Sequence, residues 1–179
     1  MAKPTGSNRS PQAHSGIALI VSRYNASVTG PLREGAQREY IRRRGSAAGL
    51  EIYEAPGAYE LPVIAQAAAD SERFAGIVAL GCVIKGETSH DKYISQAVAD
   101  GLMLVSLYSG VPAAFGLLTT DTPEQALARA GGDKGNKGEE AMAALLDTLD
   151  TIAAIHGERP APRASGQKPD KAHSPGGTR

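Results

Sequence analysis

The residues best suited to chemistry are Gly86, Glu87, Thr88, Ser89 and His90, which follow the apolar run Leu80-Gly81-Cys82-Val83-Ile84. An apolar strand that ends in glycine, hydroxyls and an imidazole, just ahead of an amphipathic stretch, reads as a strand-to-helix junction. The unpaired N–H groups at a helix N-terminus hold an anion. Thr88 adds a hydroxyl donor. His90 adds a group that gains and loses a proton near neutral pH. The chemistry to expect is proton transfer beside a bound anion such as phosphate. Thr88 and Asp91 also fit a capping-box spacing, and on that reading the same segment is a well-capped helix.

Three further segments carry candidate groups. Pro56-Gly57-Ala58-Tyr59-Glu60 opens with a strong turn signal. Beyond the turn, the backbone of Ala58 and Tyr59 and the carboxylate of Glu60 can meet a flat heterocycle or a polyol. In Arg23-Tyr24-Asn25, Tyr24 either stacks on a planar ring or covers the rim of the core. The connection Arg129 to Gly138 is rich in glycine and lysine, but Gly138 rather than a hydroxyl residue follows Lys137, so the P-loop pattern is absent. Arg129 and Lys137 are candidate phosphate donors; the plain alternative is a solvated loop. The histidines, His14, His90, His156 and His173, show no metal-ligand spacing. Neither a G-x-S-x-G elbow nor a dinucleotide fingerprint after the first strand is found.

These segments need a scaffold that brings them together. Gly16–Ser22, Gly76–Gly81 and Ala113–Leu118 are nearly continuous apolar runs, suited to strands covered on both faces. Leu50–Ala55 alternates and suits an edge strand. Helical patterns fill the gaps. The first covers about Val28 to Arg44, with Pro31 in its first turn and Gly45 closing it. Arg42, Arg43 and Arg44 read as charges at that helix's end. Further helices are expected over Tyr59–Asp70, Asp91–Tyr108, from the Thr122-Pro123-Glu124-Gln125 cap to about Arg129, and from Lys137 to near Gly157. The order β-α-β-α-β-α-β-α-α predicts a three-layer α/β/α sandwich on a parallel sheet. Ligands in such sheets bind beyond the carboxyl ends of the strands. That edge collects Ser22–Asn25, Ala55–Glu60, Cys82–His90 and Thr119–Asp121.

Composition narrows the class. The 179 residues carry 19 basic and 19 acidic side chains, which gives no general pull toward nucleic acid or acidic membranes. One cysteine, Cys82, excludes an internal disulfide and reads as an inert buried thiol. No run is long enough to span a bilayer, and no apolar signal core opens the chain, so a cytoplasmic protein is expected. Residues 1–14 and 158–179 have the composition of disordered tails, leaving one folded domain over 15–157.

Taken in order, Arg23-Tyr24-Asn25, Pro56 to Pro62, Ala79 to His90, Phe115 to Thr120 and Arg129 to Gly138 closely resemble the motifs of the 6,7-dimethyl-8-ribityllumazine synthase family. The resemblance spans about residues 16–156. It implies a flavodoxin-like fold with a four-stranded parallel sheet. It implies a transferase of riboflavin biosynthesis, which condenses 5-amino-6-(D-ribitylamino)uracil with 3,4-dihydroxy-2-butanone 4-phosphate and uses no metal or redox cofactor. It also implies homopentamers with active sites shared between neighbours, in some members built into a 60-subunit icosahedral shell. The compact connection Arg129–Gly138 is like that of the shell-forming members, and riboflavin synthase is a partner the resemblance allows.

By position, Tyr24 would stack on the pyrimidine. Ala58, Tyr59 and Glu60 would hold the ribityl chain and the ring edge, and Val83 and Ile84 would meet the ring through their backbone. Glu87, Thr88 and Arg129 would bind phosphate, and His90 would transfer protons. Phe115, Arg129 and Lys137 would come from the adjacent subunit. The chain departs from the family pattern at Tyr24 (commonly Phe or Trp), Lys85 (Arg), Asp91-Lys92 (an aromatic, then an acid) and Ala97 (often Glu). Two alternatives are weighed. One is a riboflavin synthase of archaeal type, disfavoured by the phosphate-binding set. The other is a flavin-binding or shell protein without turnover, disfavoured by the intact His90.

Overall fold

The computed structural model describes residues 16–158. Of the expected tails, residues 1–14 and all of 158–179 except Glu158 lie outside the described residues. Four parallel strands form the central sheet, in the order β2-β1-β3-β4: β1 (Gly16–Ser22), β2 (Leu50–Ala55), β3 (Phe74–Ile84) and β4 (Ala113–Thr120). Around them lie α1 (Ala26–Arg44), α2 (Leu61–Asp70), α3 (His90–Ser109), α4 (Pro123–Arg129) and α5 (Lys137–Ile155). This is the expected three-layer sandwich of flavodoxin-like type.

The continuous apolar runs have a simple cause. Successive side chains of a strand point to opposite faces, and here both faces are covered. Ile17, Leu19 and Val21 of β1, with Val78 and Leu80 of β3, pack against α1 and α5 through Leu32, Met142, Leu145 and Leu146. Ala18, Ile20, Ile77 and Ala79 face the other way, onto Leu61, Ala65, Val98 and Leu102 of α2 and α3. β2 is an edge strand, as its alternation predicted.

Three local expectations are corrected. Helix α1 starts two residues earlier than the apolar pattern suggested, so Pro31 sits inside it and not in its first turn. Asn25 makes that early start possible: it adopts a left-handed conformation (φ 58°) just ahead of the helix, and its carbonyl accepts the N–H of Val28 and of Thr29. The Arg129–Gly138 connection is not a plain solvated loop. It forms a small antiparallel hairpin of β5 (Ala130–Gly132) and β6 (Gly135–Asn136). Asn136 explains its order. Its Oδ1 caps α5 by accepting from the N–H of Gly138 at 2.9 Å and of Glu139 at 3.2 Å, while its Nδ2 donates to the carbonyl of Pro31 at 2.9 Å. Third, Arg43 is not a mere helix-end charge. It is buried and bridges Glu39 of its own helix to Asp147 of α5 at 2.7 Å.

Candidate active site

The strand order reverses direction beside β1: the chain passes from β1 out to β2, then returns to add β3 on the other side. The crevice beyond the strand ends at such a switch point is where open α/β sheets bind ligands. A cavity of about 410 Å³ lies there, lined by residues that include Tyr24, Ala58, Tyr59, Glu60, Thr88 and His90.

Each wall has a local reason for its place. The side-chain Nδ2 of Asn25 donates to the carbonyl of Cys82 at 2.9 Å, which ties the end of β1 to the end of β3. The N–H of Arg23 bonds the carbonyl of Ala55, and that of Lys85 bonds the carbonyl of Thr120, so pairing continues past the strands. Tyr24, freed by the turn, is 72 % exposed at the rim, an available flat face. Tyr59 is also exposed, whereas Ala58 is buried beneath the Pro56-Gly57 turn. Val83 and Ile84 line the same cavity at the end of β3.

Helix α3 begins with His90, and Ser89 precedes it as N-cap without a side-chain capping bond. The capping-box reading of Thr88 and Asp91 is therefore incorrect. Thr88 lies ahead of the cap residue and is exposed, while the Asp91 side chain is turned inward and buried. The first-turn N–H groups of α3 accordingly have no side-chain acceptor of their own, and His90 is exposed beside them. Cys82 lies in the cavity wall, and burial pushes its thiol up to about 11. At working pH it is a protonated, inert thiol.

The remaining sequence-derived residues do not join this cavity. Glu87 is exposed next to it and is not among its lining residues. Phe115, Arg129 and Lys137 line a second hollow of about 360 Å³, formed by β4 and the start of α5. There the Nη1 of Arg129 donates to the carbonyl of Gln125 at 3.0 Å, and Lys137 pairs with Glu140 at 2.6 Å. Within one chain the imidazole and the guanidinium thus occupy separate hollows. The site reading also missed Asn25, Asp91 and Ile94, all of which line the first cavity. For Asn25 the signal was present, as asparagine tolerates the left-handed turn that a strand-to-helix connection demands. Among the described residues no cluster of three or more histidine, cysteine, aspartate or glutamate side chains is arranged to hold a metal ion.

Residues 14–153 match the family model of 6,7-dimethyl-8-ribityllumazine synthase. The chain belongs to this family. Three proteins named 6,7-dimethyl-8-ribityllumazine synthase show the degree of likeness, each aligned over 120 residues, or 67 % of this chain. The one from Deinococcus deserti is 47 % identical over 77 % of its own length. Synthase 1 of Caulobacter vibrioides is 48 % identical over 78 %, and the one from Deinococcus radiodurans 42 % over 77 %. On the scaffold that its strand order creates, this member of the lumazine synthase family gathers Tyr24, Glu60, Thr88 and His90 around one cavity.

Proposed function

We propose that this chain catalyses the condensation of 5-amino-6-(D-ribitylamino)uracil with 3,4-dihydroxy-2-butanone 4-phosphate to 6,7-dimethyl-8-ribityllumazine, the penultimate step of riboflavin biosynthesis, in the cytoplasm. The observation that carries this reading is the single cavity in which an exposed aromatic face, a carboxylate, a hydroxyl and an imidazole meet at the switch point. Family membership supports the same reaction. Tyr24 stacks on the pyrimidine. Ala58, Tyr59 and Glu60 take the ribityl chain and ring edge, and the backbone of Val83 and Ile84 pairs with the ring's polar side.

The primary amine attacks the butanone carbonyl, and loss of water gives an imine. Removal of a proton next to the imine then expels phosphate; the enol left behind becomes a ketone, and the ribityl-bearing nitrogen closes the ring on it with loss of a second water. His90, beside the uncapped turn of α3, accepts and returns these protons. Thr88 and the first-turn N–H groups stabilise the departing anion, with Glu87 at the same edge. Arg129 and Lys137 complete the anion site, and Phe115 closes over the ring, all three supplied by an adjacent copy of the chain. Their position in a separate hollow supports this sharing. Holding both reactants in one crevice contributes much of the remaining acceleration.

The shared site calls for a homo-oligomer. We read it as a pentamer, and the compact β5–β6 hairpin fits further assembly into a shell. The test is turnover with both substrates. Lumazine formation with release of phosphate is expected. Riboflavin formed from lumazine alone, or no product at all, overturns the reading.

A further inference from the structure

Asn25 does not do what its place in the chain suggests. It is the N-cap residue of α1, where an asparagine side chain ordinarily accepts a helix N–H. Here the side chain makes no capping bond. The backbone is left-handed (φ 58°) rather than extended, and the Nδ2 turns away from α1 to the carbonyl of Cys82, 2.9 Å away. The start of α1 is held instead by the backbone carbonyl of Asn25, which takes the N–H of Val28 and of Thr29.

The sheet explains what the amide replaces. β1 pairs with β3 as far as Val21, opposite Leu80. β3 and β4 stay paired up to Ile84 and Thr120. From Gly81 onward, then, β3 has a neighbour on its β4 edge and none from β1. Successive residues of a strand turn their N–H and C=O to opposite edges. The N–H of Lys85 goes to Thr120 of β4. Cys82 and Ile84, one step out of phase with Lys85, face the other edge. There the Asn25 amide takes the Cys82 carbonyl, and Ile84 lines the cavity. A further strand would meet Ile84 with one N–H and one C=O. The uracil ring offers the same pair, a ring N–H between two carbonyls, across the ring from the ribityl-bearing amine.

We propose that Asn25 is a positioning residue: by pinning the Cys82 carbonyl, it holds the open edge of β3 where the Ile84 backbone takes the ring N–H of the aminopyrimidine. This rests on the function proposed above and adds to it how the sheet reads the ring. Asn25 acts through β3, and the anion side of the cavity does not depend on it.

Calorimetry of the full-length wild type, Asn25→Asp and Asn25→Gly tests it with two ligands, the aminopyrimidine and the same molecule methylated at that ring N–H. Asn25→Asp keeps the shape and turns the donor into an acceptor. Asn25→Gly keeps the left-handed backbone and removes the amide. The wild type should bind the methylated ring about tenfold more weakly or worse. In Asn25→Asp the Kd of the unmodified pyrimidine is expected to rise by about tenfold or more, and in Asn25→Gly by a smaller factor. Neither substitution should weaken the methylated ring further, because its pairing with Ile84 is already lost. The KM for butanone phosphate should stay level. A general loosening of the site would raise the Kd of both rings, or the KM of both substrates, by the same factor. That result overturns the proposal, as does an unchanged Kd in both variants. Asn25→Gly carries the test if Asn25→Asp does not fold; if neither folds, Asn25 serves the fold and the proposal falls. A wild type without turnover and without pyrimidine binding sinks the proposed reaction and this inference together. An active wild type that binds both rings equally sinks the inference alone, and an inactive one with the expected pattern of Kd values sinks the reaction alone.

Discussion

His90 and Arg129 divide the labour of the proposed reaction, and their variants should fail in different ways. His90 is exposed at the start of α3, so its removal leaves the packing intact and takes away proton transfer. His90→Ala is expected to lower kcat by roughly 100-fold or more while leaving the Kd of the pyrimidine nearly unchanged, as calorimetry and initial rates will report. An equal loss in both would mean that His90 shapes the cavity. Arg129→Ala should raise the KM for butanone phosphate by about tenfold or more, the worth of a hydrogen bond to a charged group, with little change for the pyrimidine. At this scale the sequence was readable for position: His90, Thr88 and Tyr24 line the cavity at the strand ends where the parallel-sheet rule puts them. It was not readable for Asp91. A capping spacing and a buried, unpartnered carboxylate look identical in one dimension. What separates them is the backbone of Ser89, which declines the cap, and the packing that turns Asp91 inward.

The elements that hold these residues are fixed by a few close approaches. Helix α5 meets α1 at Gly138, where any Cβ would overlap the carbonyl of Leu32, and at Gly35, where it would overlap the Asn136 side chain. Asn136 is locked between the two helices and carries Lys137 directly after it. Gly138→Ala is therefore expected to cost about 1–3 kcal/mol, read as a lower Tm. It should also weaken butanone phosphate binding, because α5 must slide and take Lys137 with it. A variant with wild-type Tm and kinetics would show that the helices separate without strain. Most of the elements were legible beforehand. Apolar runs marked β1, β3 and β4, and the Thr122-Pro123-Glu124-Gln125 cap of α4 forms as read, with the Oγ1 of Thr122 accepting from the N–H of Gln125. The β5–β6 hairpin was not legible. Two and three residues rich in glycine carry no periodicity, and their order comes from Asn136 reaching a carbonyl 105 positions away.

The molecule as a whole leaves several large apolar side chains uncovered. Tyr93, Leu107 and Tyr108 of α3, Val63 of α2 and Phe115 of the edge strand β4 are exposed, with Tyr108 at 84 %. Large apolar side chains gathered on adjoining elements mark an association surface. The native mass, measured by light scattering, is expected to be a multiple of five protomers, and a stable, active monomer would contradict the shared site. The separation of His90 from Arg129 within one chain has a consequence for mixtures. If every working centre borrows its cation from the next protomer, two different broken proteins can repair each other. At butanone phosphate well below the raised KM of Arg129→Ala, where His90→Ala and Arg129→Ala chains both turn over slowly alone, the two should regain roughly a quarter of normal turnover when unfolded together in equal amounts and reassembled, since a head-to-tail ring then seats some intact imidazoles against intact guanidiniums. Silence in that hybrid would mean that each protomer works by itself.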